Sequence, residues 1–337
     1  MLPKSRIISA LLVGLGLALM VGGLIAPSVL TTDGRLPLDL RDSTWTVTDE
    51  NATSAPKYDE QARPRQAPVS YQLHLQIQDP ADEDTATVRV GSSWLYPVNE
   101  HLISAQTWSY VMDRVSGLAS SPASLTHTIG MPPSEVPLEG NWLKLPADVE
   151  QGTYDVFDET LRRAYPAVFV DQTEIDGREV YHFRQEIAPT NVATSYADMF
   201  NTRVTPTGDG GTEQSYLHHA ATRDLWVDQI TGLVVDMDLR VDDYYATTAG
   251  HRTGEVLAFD GSMSDEQTAQ LIDAVSGVRS ESTSRLWQWG AIVLGALIAL
   301  VGAAGAFLSG RRGRAQKLPG KSETVVASRS SREATRG

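Results

Sequence analysis

Carboxylates are the residues of this chain with the spacing to do chemistry. Asp79, Asp82, Glu83 and Asp84 crowd one loop, and Asp236, Asp238 and Asp242 share a strand face with Asp243 beside them. Oxygen-rich clusters suit a hard cation, calcium above all, which takes several carboxylate ligands. Asp79, Asp82, Asp84, Asp236 and Asp238 are therefore the calcium candidates. The opposing reading is a solvated surface: Arg240 relieves repulsion along the strand, and the loop lacks the glycine and closing glutamate of an EF-hand. His218 and His219 adjoin, but neighbours in a strand point to opposite faces and do not easily share one metal. The sequence has no H-E-x-x-H, nucleophile-elbow, Walker or dinucleotide motif. It has no cysteine, hence no thiolate site and no disulfide. A glycosidase-like carboxylate pair stays open, though no pair is singled out. The residues therefore name no catalytic group and no organic cofactor, and they favour a non-enzymatic protein.

The elements that carry these residues read mostly as strands. Tyr71, Leu73, Leu75 and Ile77 alternate with Gln72, His74, Gln76 and Gln78, the pattern of a half-buried strand. Thr85 to Val90 alternates again, and Val180 to Arg184 follows the Asp176-Gly177 turn. Leu233, Val235, Met237, Leu239 and Val241 oppose Asp236, Asp238, Arg240 and Asp242. A helix is expected after Ser264, with Asp265 and Glu266 in its first turn. Short helices are expected over 158–164 and 194–201, and a loop or stalk over 48–68. Asp113-Arg-Val-Ser-Gly117-Leu and Asp228-Gln-Ile-Thr-Gly232-Leu repeat one pattern, a strand end and a turn with glycine at positive φ. Trp94, Tyr96, Trp108, Tyr110, Trp142, Tyr154 and Trp226 fill a core or line a sugar or lipid site. The expected fold class is mainly β (α+β), a large antiparallel domain, barrel- or sandwich-like, with a few helices.

Two uncharged apolar runs, Ile7 to Ile25 and Gly290 to Leu308, flank this domain, each about 19 residues and long enough for a bilayer core of roughly 30 Å. Lys4 and Arg6 precede the first, while Arg311, Arg312, Arg314 and Lys317 follow the second. Trp287 and Trp289 mark the outer edge, and Arg311 and Arg312 the inner one. Both basic flanks point to the cytoplasm by the positive-inside rule. The absence of a small-residue cleavage site near Pro27 favours an uncleaved first anchor over a signal peptide. Gly14, Ala18 and Gly22, and likewise Gly295, Ala299 and Ala303, form small-residue rows through which helices pack on each other or on an oligomeric partner. The expected order is a cytoplasmic N-terminus (1–6), a first span (7–26), an extracytoplasmic β domain (27–284), a second span (285–309) and a basic, disordered cytoplasmic tail (310–337).

The chain holds 28 basic and 42 acidic residues; setting aside the two basic residues before 27 and the eight basic and two acidic residues of the tail leaves a net of about −22 between them. Such a surface repels phosphate backbones and excludes nucleic acid as a partner.

Several short motifs, in order, carry a resemblance. They are Pro37-Leu-Asp39; Asp113-Arg114 with Gly117-Leu118; Tyr154-Asp-Val-Phe-Asp158, Gly177 and Tyr181-His-Phe183; and Leu225-Trp-Val-Asp228 with Thr231-Gly232, before a Trp-bearing membrane helix. Together they resemble the actinobacterial envelope membrane-protein family of unknown function often labelled "porin PorA family", over nearly the whole chain. That resemblance implies a mycolate-type envelope and a part in maturing lipomannan-type glycolipids. The partners it implies are membrane lipid or glycolipid and membrane glycosyltransferases. The two-anchor plan is similar to scavenger-receptor lipid receptors at the level of architecture. Two spans and an acidic domain make no evident pore, so the porin label implies at most a porin-associated protein. A calcium-assisted or carboxylate-based envelope glycan hydrolase or transferase is the enzymatic alternative.

Overall fold

A computed structural model of the chain describes residues 4–25, 34–38, 40, 42–57, 63–127, 130–206, 210–278 and 281–314. Within the terminal helices, side chains are described over 7–25 and 289–305. The chain divides into two compact units: Met1–Pro27 with Arg285–Gly337, and Ser28–Ser284.

The second unit is built on strands β1 (Asp42–Asp49), β2 (Thr53–Ser54), β3 (Arg65–Gln66), β4 (Val69–Ala81), β5 (Thr85–Tyr96), β6 (His101–Asp113), β7 (Ala123–Thr126), β8 (Ser134–Val136), β9 (Thr153–Asp158), β10 (Arg163–Ile175), β11 (Arg178–Asn191), β12 (Thr202–Pro206), β13 (Thr212–Asp228), β14 (Val234–Thr247) and β15 (Arg252–Ser262). They form one antiparallel sheet whose main path runs β8-β7-β6-β5-β4-β1-β15-β14-β13-β11-β10-β9. Among the described residues β8 and β9, the two ends of the path, do not pair with each other, so the sheet is not closed, and the barrel expectation is corrected to an open sheet. Its two halves instead face each other across the core. The Trp45 indole of β1 donates to the Val234 carbonyl of β14 at 2.8 Å. The rings of Trp108 on β6 and Phe157 on β9 lie 5.5 Å apart, edge to face.

The alternation read from the sequence sets which side chains fill that core. Tyr71, Leu73 and Leu75 are buried on β4, and Val235, Met237, Leu239 and Val241 on β14. Trp108 and Trp142 are buried, and Trp94 packs against the core with its ring 4.5 Å from Tyr71. Helix α2 (Asp265–Val275) starts where expected: the Ser264 side chain accepts from the Gln267 amide, and Leu271, Ile272 and Val275 are buried.

Three local expectations fail. Residues 158–164 form a turn and the start of β10, because Asp158 Oδ1 accepts from the Leu161 amide and Arg162 takes φ 54°. Thr194–Asn201 is not a helix; a 3-10 turn over Val192–Thr194, capped by Asn191, leads into turns. The described part of 48–68 carries β2 and β3, which extend the sheet from β15.

The repeated pattern forms two matching turns. In one, Asp113 Oδ1 accepts from the Ser116 amide and hydroxyl, and the Gly117 amide donates to the Asp113 carbonyl at 2.9 Å. In the other, Asp228 Oδ2 accepts from the Thr231 amide and hydroxyl, and the Gly232 amide donates to the Asp228 carbonyl at 2.8 Å. The glycines sit at φ 73° and 74°, and a Cβ would strike the Lys144 carbonyl at 2.3 Å in the first and the Leu145 carbonyl at 2.1 Å in the second. The segment joining β8 to β9 thus threads between both turns. Lys144, 2% exposed, fastens it there: its ammonium donates to the carbonyls of Val115, Leu145 and Thr231.

The first unit pairs α1 (Lys4–Ile25) with α3 (Glu281–Arg314). A Cβ on Gly16 would lie 2.5 Å from the Gly295 carbonyl and 2.6 Å from the Ala299 amide; one on Gly302 would meet the Ser9 carbonyl at 2.9 Å. Residue numbers rise on α1 as they fall on α3, so the helices are antiparallel. The buried positions on α1 are Ser9, Gly16 and Gly23, and on α3 Gly295 and Gly302. Spacing by seven is the seam of a left-handed helix pair, with small residues allowing close backbone approach. The expected α1 row of Gly14, Ala18 and Gly22 is not this seam: Gly14 and Gly22 have open space where a Cβ would be. On α3, Gly295 and Ala299 do belong to it.

Candidate functional site

The densest charged cluster lies inside the β unit. Inward positions of β13 carry His219 and Arg223, β14 carries Asp243, and the end of β9 carries Asp158 with Glu159 next to it. Asp158 is 0% and His219 1% exposed. The imidazole lies between two carboxylates: Nδ1 is 2.6 Å from Asp243 Oδ1, and Nε2 is 3.4 Å from Asp158 Oδ2, an ion-pair contact outside hydrogen-bond geometry. Arg223 donates to Asp158 Oδ2 at 2.5 Å and to Gln185 Oε1 at 2.9 Å. Lys57 approaches the other Asp243 oxygen at 3.8 Å. From the opposite half of the sheet, the hydroxyls of Tyr71 and Ser92 donate to Glu159 Oε1 at 3.0 and 2.9 Å.

Burial and neighbouring charge compete at each of these groups. Burial favours neutral His219, but Asp158 and Asp243 outweigh it and raise the imidazole to about 9. Burial favours neutral Asp158, yet His219 and Arg223 hold it well below the usual carboxylate range. At Glu159 burial wins over the Ser92, Tyr71 and Arg223 contributions, and its carboxyl is raised. Burial, reinforced by Glu159, pushes the Tyr71 phenol well above its ordinary range. The chemistry available is proton holding and cross-layer fastening, within a packed core.

The calcium candidates stand apart from this cluster. Asp82 Oδ1 turns back on its own loop and accepts from the amides of Asp84 and Thr85, which lower its titration. Asp84 lies 3.6 Å from Arg35, and Asp79 precedes Pro80 within β4. Asp236 and Asp238 sit half-buried on the outer face of β14, both raised by burial, with Asp236, Asp224 and Asp260 adding to the effect at Asp238. Asp236 Oδ1 accepts from the Met237 amide, Asp242 pairs with Arg252, and Arg240 pairs with Asp260 at 2.6 Å. Among the described residues no three of His, Asp and Glu gather as metal ligands. Of the membrane-edge residues, Trp289 is 64% exposed; the side chains of Trp287, Arg311 and Arg312 lie outside the described residues. Ile7–Ile25 is long and apolar enough to cross a membrane, and Trp289–Gly305 is a shorter apolar helix.

The motif residues of the resemblance gather largely at one end of the β unit. The Arg114 guanidinium donates to the carbonyls of Leu36, Asp82 and Glu83, holding the entering chain and the β4–β5 turn. Arg178 donates through two nitrogens to the Asp228 carboxylate, at 2.7 and 2.6 Å, and through a third to the Val278 carbonyl beyond α2. Chain entry and chain exit therefore fasten to the same end as the matching turns.

A family profile described as Porin PorA matches residues 8–304. Porin PorA of Corynebacterium amycolatum is 26% identical over 188 residues, 53% of this chain and 48% of the relative. The chain thus spans about half the length of that curated relative. With a profile match running from within α1 to within α3, the chain belongs to the Porin PorA family.

Proposed function

We propose that this is a non-enzymatic cell-envelope membrane protein, anchored by both α1 and α3, with its β unit outside the membrane and both termini in the cytoplasm. There it binds or presents envelope lipid or glycolipid, or scaffolds the membrane glycosyltransferases that mature lipomannan-type glycolipids. The observation that carries the anchoring is the antiparallel helix seam. Two helices packed this way return the chain to the side it left, in keeping with basic residues before the first and after the second. The glycolipid assignment rests on the family resemblance. The non-enzymatic assignment is supported by the cluster itself, whose strongly shifted groups lie sealed in the core. The open small-residue row of Gly14, Ala18 and Gly22 is the face for a partner helix or a second copy.

The native chain has no cysteine, so single-cysteine labelling tests the topology cleanly. Thr248→Cys, in the exposed β14–β15 turn, should react with a membrane-impermeant maleimide in intact cells, and Ser328→Cys only after lysis. Labelling of Ser328→Cys in intact cells overturns the topology. A deletion strain with unchanged lipid and lipomannan profiles overturns the glycolipid role. The name of the curated relative favours a second reading, a porin-associated protein. A change in whole-cell permeability to small solutes on deletion, with glycolipids intact, selects that reading.

A further inference from the structure

We infer that the β9–β10 turn, from Asp158 to Arg162, is a pH-sensitive latch between the two halves of the β unit. Its two consecutive acids fasten in opposite directions. Asp158 holds Arg223 and His219 of β13 and, through the imidazole, Asp243 of β14. Glu159 takes the Tyr71 hydroxyl of β4 and the Ser92 hydroxyl of β5. Tyr71 and Glu159 are 88 positions apart in sequence and Asp158 and Arg223 65 apart, and this one turn ties the β13–β14 pair to the β4–β5 pair, between which no ladder runs among the described residues. The turn is also pinned locally by the Leu161 amide on Asp158, at 2.6 Å, and by the Arg162 guanidinium lying 3.5 Å over the Tyr196 ring.

The charges facing the latch set the direction of its response. Asp158, Glu159 and Asp243 are the acids, and His219, Arg223 and the more distant Lys57 the bases. Arg162, Arg163, Tyr165 and Tyr196 lie on the turn, on β10 and on the loop over it. When His219 loses its proton, two buried carboxylates lose the cation between them. When Glu159 loses its proton, a further buried negative charge appears beside Asp158, and Glu159 Oε2 has no hydrogen-bond partner among the described residues. Both losses occur as pH rises. The loss at His219, whose imidazole is raised to about 9, falls in the alkaline range, so the latch loosens as pH rises through it, freeing the turn between the halves before the ladders themselves open.

Hydrogen exchange on the full chain in detergent micelles, between about pH 6 and about pH 10 and corrected for intrinsic rates, tests this. Peptides covering 157–163 should lose protection by about tenfold or more across that range while β14 and β15 stay protected. Glu159→Gln, which keeps the shape without the charge, should hold the turn protected to higher pH. His219→Gln should lower its protection throughout and flatten the profile. If His219→Gln does not fold, Glu159→Gln decides alone. Turn protection independent of pH in the native chain, opening only in step with β14–β15, or a native profile in Glu159→Gln each overturns the latch.

Discussion

Two buried charges in the β unit, Lys144 and His219, are held in opposite ways. The Lys144 ammonium sits among backbone carbonyls, those of Val115, Leu145 and Thr231, supplied by two turns and its own segment. His219 sits between two side-chain carboxylates, Asp158 and Asp243. Carbonyl dipoles do not titrate, and the Asp113 carboxyl, which Lys144 helps hold below its usual range, stays ionised in the neutral range, so the hydrogen-bond acceptors of the Lys144 clasp do not change there. The His219 cluster is made of groups that gain and lose protons, and its strength follows the medium. Within the β unit, the Lys144 ammonium is thus held by fixed dipoles and the His219 imidazole by adjustable charges.

The comparison breaks most visibly at Lys144. Lys144→Met should leave buried carbonyls short of a donor and destabilise the fold by about 3–5 kcal/mol, read from denaturant unfolding of the full chain in detergent. The loss should be the same at every pH tested in the neutral range.

His219→Gln should behave differently. The imidazole is raised in the fold from 6.5 to about 9. Its stabilisation is fully present below 6.5 and is lost as pH rises through about 9, on the order of 3 kcal/mol in all by linkage. Native protein should therefore show falling stability across that window, and the variant a flatter curve. A native curve that is flat there removes the contrast with Lys144.

The matching turns sharpen the comparison from the clasp side. Gly117→Ala and Gly232→Ala each force a Cβ into a carbonyl and a side chain into positive φ, and each should cost about 2 kcal/mol or more. Equal losses in thermal unfolding would mean the turns serve Lys144 as equals; a loss at only one would break that equivalence. The smallest effect is expected at Asp82→Asn, an exposed loop whose carboxylate oxygen is already engaged by its own amides. Its unfolding midpoint should shift least of the five, with about 1 mM calcium making no difference to native or variant protein.

The clasp was partly legible in the sequence, and the cluster hardly at all. Asp113…Gly117 and Asp228…Gly232 each spell out a turn within six residues, so local chemistry marked them. That they face each other across the 138–149 segment depends on how the sheet folds back, which no short spacing encodes. Strand alternation marked Leu73, Leu75, Val235 and Leu239 as core. The same alternation carried the missed signal. His219 and Arg223 occupy the phase of Leu217, Ala221 and Leu225 on β13, and Asp243 that of Leu239 and Val241 on β14. Charged residues on an apolar phase announce buried pairing, but the partners Asp158 and Glu159 stand in a stretch whose composition read as helix. Tertiary pairing, through the Leu161 amide and Arg223, made it a turn. In the first unit, the spacing of four in Gly14, Ala18 and Gly22 drew attention from the spacing of seven that an antiparallel helix pair follows.

The backbone contact of Gly16 with Gly295 has a consequence for the denatured protein. Because the seam joins residues near both ends of the chain, the β unit between them is a closed loop even though it contains no cysteine. While the helices stay paired, unfolding that loop releases less freedom than unfolding an open chain, a difference of about 6 kcal/mol by the polymer arithmetic used for a crosslink of similar span. Glycines in an apolar helix pair thus act as a staple, and widening the seam with Gly295→Leu would lower the melting temperature of strands that contain neither residue.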